Sequence, residues 1–534
     1  MSDWSEGYTS DINYTFGYYA ELNPLRARLA LLNAGFACPQ TATACELGFG
    51  QGISVVMHAA GSATHWHGTD FNPAQAGFAA SLAAASKARA TLRDDAFADF
   101  CVRPDLPEFD FIGLHGIWSW ISDENRAVIV DFVRRKLKVG GVLYISYNAL
   151  PGWTTFAPIR HIMAAHADAL GAAGQGSVNK VDEAVNFAEQ LLAAAPQYLE
   201  AHPAIQVKLA ALKTANRQYL AHEYFNRDWC PMHFTTVAQW LAPAKLQFAC
   251  SANLLDHVDS VNYTPDQQAF LQGIPDVALR ENVRDFVLNR QFRRDYWVKG
   301  ARKINSVERD DIARAQRVVM TAHRPDVSYK ARAGLGEVDL SESFYGPVLD
   351  LLSDHKERSL AEIEQATAAH GLSWTQLMEI VTVLTGVGAI APANDEATVK
   401  AATAVAAKLN NYLMLNARGS GDVAYLTSPV TGGGVSLTRF EILFLLALKN
   451  GQTEPSDLAL FVWDILRGQN QILLKDGAPI EGAEANIAEL TKQASEFAEK
   501  RLPNLNGLKL SVADLAQVAG KFAWRLPPSR IVRP

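Results

Sequence analysis

Cysteine is scarce and carries no pattern. Five residues (Cys38, Cys45, Cys101, Cys230 and Cys250) are scattered over 534 positions, and an odd, unpaired count in so long a chain excludes a disulfide framework. Long apolar runs are missing as well. Nothing approaches the roughly eighteen residues that a membrane helix needs. The best run, Phe440 to Leu448, is interrupted by Glu441 and predicts a buried helix instead. The opening residues, Met1-Ser2-Asp3-Trp4-Ser5-Glu6, lack the basic and apolar regions of a signal peptide. A cytoplasmic protein without membrane insertion is therefore expected. Charge of one sign is absent too: the formal net charge is −7, which offers nucleic acid or anionic lipid no general attraction. Cys230-Pro231-Met232-His233 and His65-Trp66-His67 have no second ligand pair at useful spacing, so no metal is expected.

What is present reads as several domains, since a chain of this length exceeds a single core. Residues 1–35 are rich in tyrosine (Tyr8, Tyr14, Tyr18, Tyr19) and run into a helical pattern from Pro24 to Gly35. Then short apolar runs alternate with helical stretches, the pattern of a parallel α/β sheet. Strands are predicted at Ala42–Leu47, Trp66–Asp70, Phe109–Leu114 and Val142–Ser146, with helices over Gln51–Gly61, Pro73–Ala88 and Asn125–Leu137. After Pro151-Gly152-Trp153 the chain turns helical and Ala-rich to about residue 220. A strand at Leu246–Ala252 is expected to complete the sheet.

The sharpest motif is Cys45-Glu46-Leu47-Gly48-Phe49-Gly50-Gln51-Gly52, where the first strand meets the first helix. Glycines let the backbone turn tightly and approach a ligand, and the helix N-terminus behind them offers free N–H groups. A dinucleotide fingerprint would place a third glycine three residues after the second. Ile53 occupies that position, and an acid precedes the first glycine instead. Acidic-x-Gly-x-Gly-x-Gly is the class I methyltransferase arrangement, which predicts S-adenosyl-L-methionine as cofactor. Asp70, twenty residues after Gly50, ends the second strand, where a carboxylate can accept from both ribose hydroxyls. Arg93-Asp94-Asp95-Ala96-Phe97 precedes the fourth strand, where this fold grips adenine.

Four further strings stand in order: His115-Gly116-x-x-Ser119-Trp120, Ser146-Tyr147-Asn148-Ala149-Leu150-Pro151-Gly152-Trp153, Glu223-Tyr224-Phe225-Asn226, and Gln291-Phe292-Arg293-Arg294-Asp295. With them the chain resembles the bacterial methyltransferases that carry a methyltransferase regulatory domain, among them rickettsial protein-lysine methyltransferases of outer-membrane proteins. The likeness covers about residues 1–305 and is looser beyond. It implies an α/β, Rossmann-like class I methyltransferase domain with a helical insertion. Farther on, three helical patterns (Tyr345–Ser353, Leu360–His370 and Ser373–Thr385) and a short apolar run, Gly388–Ala391, are spaced as in a winged-helix-like unit, and the C-terminal domains read as mostly helical. The likeness also implies that Glu46, Gly48, Gly50, Gly52, Asp70, Asp95 and Ala96 hold the cofactor, with His115 and Trp118 beside its methionyl end. Tyr147, Asn148 and Glu223 would border the acceptor channel. The expected divisions are 1–155 for the cofactor-binding core, 156–305 for the insertion and regulatory domain, 306–400 for the winged-helix-like domain, and 401–534 for a helical C-terminal domain.

Methyl transfer from a sulfonium is an in-line displacement, so alignment and desolvation do most of the work. A lysine acceptor must first lose a proton, about 4–5 kcal/mol uphill at pH 7. A dry pocket lowers that pKa, and no dedicated base is demanded. Tyr18, Trp118, Tyr147 and Trp153 could wall such a channel, although Trp118 and Trp153 fit a packing role equally. A protein substrate with an acceptor lysine is the leading expectation. A small-molecule N- or O-methyltransferase, or a non-catalytic S-adenosylmethionine-binding module, remains open. The basic stretch Arg280–Lys303 reads as an amphipathic helix with solvated charges. The would-be recognition helix at Ser373–Ile380 has no Arg or Lys to meet phosphates. No nucleic acid is expected, and the C-terminal half is read as a surface for substrate or for a homodimer. A chain ending near Lys303 is accordingly expected to keep its cofactor site.

Overall fold

The computed structural model describes residues 15–170 and 177–510. The predicted calls at Tyr8 and Tyr14, and the stretch after residue 510, lie outside them. The first helix, α1 (Pro24–Asn33), starts on a proline at its first position, with the Asn23 side chain capping the Leu25 N–H. The predicted α/β alternation follows: β1 (Thr43–Leu47), α2 (Ile53–Gly61), β2 (His65–Thr69), α3 (Pro73–Ser86), β3 (Ala90–Arg93), β4 (Phe109–Leu114), α4 (Asp123–Lys136) and β5 (Leu137–Asn148).

Strands β1 to β5 are parallel, and two later strands, β6 (Leu246–Ser251) and β7 (Phe292–Lys299), complete a seven-stranded sheet in the order β3-β2-β1-β4-β5-β7-β6. Strand β7 runs antiparallel to both β5 and β6. This corrects the reading of Arg280–Lys303 as a solvated helix. A helix does occupy Val277–Val287, but the chain then enters a buried inner strand. Strand β5 also outruns its predicted end at Ser146, and Tyr147 and Asn148 pair with Arg293 and Phe292 inside the sheet.

Between β5 and β6 a helical insertion builds its own core around Trp153, Phe156, Met163, Val185 and Leu209. Further on, helices at Glu342–Leu352, Leu360–Thr367 and Trp374–Gly386 fall on the three predicted patterns. Strand Ile390–Ala393 follows and pairs with Arg317–Met320. No helix among the described residues is long and apolar enough to cross a membrane.

The C-terminal half is not an appendage. Helix Glu396–Asn416 packs on α2 and α3, and the hairpin Tyr425–Ser428/Gly433–Ser436 packs on α2. Asn394 Nδ2 donates to the Gly61 carbonyl at 3.0 Å, and Asn23 Nδ2 donates to the Thr431 carbonyl at 2.9 Å. One buried apolar cluster runs from Leu22 to Leu510. Every residue of α2, Ile53 to Gly61, is buried. A helix apolar all round is one covered on all sides.

Candidate functional site

A cleft opens at the carboxyl ends of β1, β2 and β4. The glycine loop forms its floor: Gly48, Gly50 and Gly52 take φ of +70°, +56° and +72°. Only glycine adopts these values cheaply. Space adds a second demand at Gly52, where a Cβ would stand 2.3 Å from that of Ala79. Gly52 also precedes α2, whose first turn no side chain caps. Its leading N–H groups therefore have no intrahelical partner and suit a carboxylate.

Asp70 is fixed by the backbone. Its Oδ2 accepts from the Gly50 N–H at 2.7 Å and its Oδ1 from the Asn72 N–H at 3.1 Å. Burial pushes its carboxyl up to about 7 against those two hydrogen bonds. Glu46 is buried on β1, and among the described residues its Oε2 has no hydrogen-bond partner. Burial, with the Asp70 charge behind it, holds that carboxyl well above the usual range. A buried acceptor without a donor is costly, and a cation or N–H entering the cleft would relieve it. This is the observation that fits an S-adenosylmethionine site: an unmet carboxylate where an α-ammonium would lie, beside a helix start for the α-carboxylate.

On the adenine side, Ala96 lines the cleft and the Asp95 carbonyl accepts from Thr69 Oγ1. The Asp95 carboxylate is held by Arg103 at 3.2 Å. Opposite, His115 stacks on Tyr19 with ring centres 3.6 Å apart, and its Nδ1 shares a 2.7 Å hydrogen bond with the Tyr144 hydroxyl. Burial lowers the His115 pKa to about 4, so the ring is neutral at physiological pH. The helix Arg217–Tyr224 and the turn after it bring His222, Glu223, Asn226 and Asp228 to the rim. Glu46, Asp70, Asp95, Glu223 and Asp228 thus line the cleft, and among the described residues no Lys or Arg does.

Four expected site residues do not reach the wall: Gly52, which turns the backbone behind it against Ala79, and Trp118, Tyr147 and Asn148. Trp118 is fully buried, edge-on to Trp240 at 6.2 Å, with the Arg126 guanidinium over its ring. Trp118–Trp120 is a 3-10 turn, in which neighbouring side chains point about 120° apart. The residue lining the cleft is Trp120. Tyr147 points into the sheet, where its hydroxyl donates to Asp295 Oδ2 at 2.9 Å. Asn148 is buried in β5, with its N–H on Ser119 Oγ and its carbonyl on the Met232 N–H. Of the suggested aromatic wall, Tyr18 instead packs against His58 and Tyr425.

A family model described as a predicted methyltransferase regulatory domain matches residues 216–299, which hold the rim helix, β6 and all of β7. The uncharacterised Synechocystis protein sll1526 is 36% identical over 513 residues, covering 95% of this chain and 100% of that protein. The chain belongs to the class I S-adenosylmethionine-dependent methyltransferases that carry a methyltransferase regulatory domain. The Rickettsia prowazekii protein RP789 is 25% identical over 316 residues, covering 57% of this chain and 54% of that one. The structure of PKMT2 from Rickettsia typhi in complex with AdoHcy matches with a TM-score of 0.65 at 16% identity, covering 93% of this chain and 99% of that one. That likeness is one of fold.

The family strings interlock. Gly116 N–H donates to Ser146 Oγ at 2.7 Å, joining the ends of β4 and β5. The Ser119 carbonyl accepts from the Cys230 N–H at 2.8 Å, tying the regulatory segment to the cleft. In β7, the Gln291 carbonyl takes the Trp153 indole N–H, Arg293 enters the buried acid network, and Arg294 pairs with Glu21. Sequence reading missed Tyr19, Gln75, Asn125, His222 and Asp228 on the cleft wall. His222 and Asp228 had a signal, flanking the third string, Glu223-Tyr224-Phe225-Asn226, on either side.

Proposed function

We propose that this methyltransferase is a cytoplasmic protein-lysine N-methyltransferase. The observation that carries the reading is the acidic lining of the cleft: five Asp and Glu side chains, of which Glu223 and Asp228 stand at the rim, and, among the described residues, no Lys or Arg. Such a wall favours cationic occupants and repels the phosphates and carboxylates of most metabolites. In this reading Asp70 accepts from the ribose hydroxyls, Glu46 faces the α-ammonium, and Ala96 and Asp95 flank the adenine. Gly48, Gly50 and Gly52 let the backbone come close, and His115 with Tyr19 walls the methionyl end. S-adenosylmethionine supplies a methyl on a sulfonium, ready for in-line displacement.

The chain's own residues do the rest. Glu223 and Asp228 draw the acceptor ammonium to the rim, and the ring of Trp120 flanks its path. Deeper in the cleft the amine leaves water, which favours its neutral, nucleophilic form. Neutral His115 adds no charge against the approaching cation. The departing proton returns to solvent at the rim. Incubating host lysate with methyl-labelled cofactor tests this: label is expected in protein, recoverable as methyl-lysine. Label confined to small molecules would contradict it and favour a metabolite acceptor.

A further inference from the structure

Behind the cleft, the helical insertion holds an aromatic box closed on a lysine. Lys208 Nζ lies 3.9 Å from the centre of the Trp153 ring and 4.7 Å from that of Phe156. That nitrogen is buried and, among the described residues, makes no hydrogen bond. Tyr224 stands edge to face against both rings, at 5.9 and 6.1 Å, and Trp229 does the same against Trp153 at 5.1 Å while its own ring carries the Arg160 guanidinium at 4.8 Å, so these two brace the pair that faces Lys208. The Trp153 indole N–H donates to the Gln291 carbonyl at 3.0 Å, which fixes the orientation of its face.

The box suits its occupant poorly. An ammonium carries three N–H donors, and ring faces offer no lone pair to any of them. Unmet buried donors cost free energy, and burial here lowers the Lys208 pKa to about 8. A methylated ammonium has the opposite balance. Each methyl replaces a donor with apolar surface, while the positive charge still interacts with the ring faces. The chemistry of the walls therefore matches a methylated cation better than the lysine now held there.

Position points the same way. Trp229 lies 6.3 Å from Trp120, which lines the cleft. Glu223, Asn226 and Asp228 also line it, so the short segment 223–229 carries cleft residues and box residues alternately. Lys208 itself sits on a surface helix, Ala204–Thr214, held by Ile205, Leu209 and Leu212, so its side chain can swing out without disturbing the sheet.

We propose that the faces of Trp153 and Phe156, braced edge-on by Tyr224 and Trp229, form a second binding subsite, for the methylated ammonium of a methyl-lysine side chain, with Lys208 as its internal occupant. The assignment rests on the protein-lysine reading, because methyl-lysine is that reaction's product. An enzyme that methylates several lysines of one protein would thereby keep hold of the modified chain.

Binding to the full-length Lys208→Ala chain, followed by tryptophan fluorescence without cofactor, tests the proposal. Three ligands are compared: a peptide bearing trimethyllysine, the same peptide unmodified, and choline as a free quaternary ammonium. The trimethyllysine peptide is expected to bind at least tenfold tighter than the unmodified one, and at least tenfold tighter to Lys208→Ala than to wild type. Adding Trp153→Ala should abolish the preference. Equal affinity for the two peptides, or no saturable binding in a variant with the wild-type circular dichroism spectrum, overturns it. Choline binding without a peptide preference overturns the methyl-lysine assignment. Lys208→Ser provides the same comparison where the alanine variant does not fold. If lysate labelling places methyl groups only in metabolites, the function fails on that assay alone, independently of these titrations.

Discussion

Asp70 joins structure to a pH dependence whose sign is fixed. Burial raises its pKa from 3.8 to about 7. The unfolded chain loses this proton near pH 4 while the folded chain keeps it, so burying the ionised form costs stability as pH rises from about 4 to 7. A ligand donating hydrogen bonds to the carboxylate favours that same ionised form. Cofactor affinity should therefore weaken below pH 7, approaching tenfold per pH unit. Calorimetric titration at pH 8 and pH 6 checks this, and a flat profile would remove ionised Asp70 from the site. Asp70→Ala should cost about 2–4 kcal/mol of affinity at pH 8, the size of a lost charge-assisted pair with unmet partners. Turnover on a lysine acceptor should rise between about pH 7 and 9 as the amine loses its proton. A flat rate with chemistry limiting would contradict a lysine acceptor. The loop glycines, Asp70 and Glu46 were legible in the sequence because their spacing is local and each answers a backbone or charge requirement. Trp118 was misplaced because the phase of a short 3-10 turn has no sequence signal, and its neighbour Trp120 faces the cleft instead.

At the scale of elements, β7 shows how linear charge misleads. Arg280–Lys303 looks basic and solvated, yet Arg293 is buried with Glu281, Asp285 and Asp295 around it at 2.7–3.0 Å. Arg290 completes the arrangement with Asp256 at 2.8 Å. Asp256 lies far back along the chain, beyond β6, and only folding brings these acids to the arginines. Burial raises Asp285 to about 6 even with Arg293 beside it. Removing Arg293 would leave Asp295 without its ion-pair partner and Asp285 and Glu281 with only the longer contacts to Arg290 and Arg284, at 3.3 and 3.5 Å. Arg293→Leu should destabilise by about 3–5 kcal/mol, read as a lower midpoint in chemical denaturation. A midpoint within error of wild type would mean the network carries no net stability. The strands β1, β2 and β4 were legible from their short apolar runs, whereas β7 was not, because its inward residues are charged.

At the scale of the whole molecule, one buried cluster joins one side of the sheet to the C-terminal half, where the sequence predicts separable regions. The run Ile53-Ser54-Val55-Val56-Met57, apolar but for one small serine, carries the clue, since an outward-facing helix of an α/β layer is expected to be half polar. Helix Glu396–Asn416 and the 425–436 hairpin cover that face. A chain ending at Lys303 would strip them away and expose α2 and α3, next to the glycine loop. It should be insoluble or lack cooperative unfolding, contrary to the expectation of an independent cofactor domain. A soluble, cooperatively melting fragment that binds cofactor would contradict the continuous core. The account's central claim is that this carboxylate-lined cleft passes a methyl group to protein lysine. The most direct measurement is mass spectrometry of lysate proteins after incubation with heavy-methyl S-adenosylmethionine and either wild type or Asp70→Ala. The account predicts heavy methyl groups on lysine Nζ with the wild-type chain and their loss with Asp70→Ala. Heavy label absent from lysine, or undiminished in a folded Asp70→Ala chain, would contradict it.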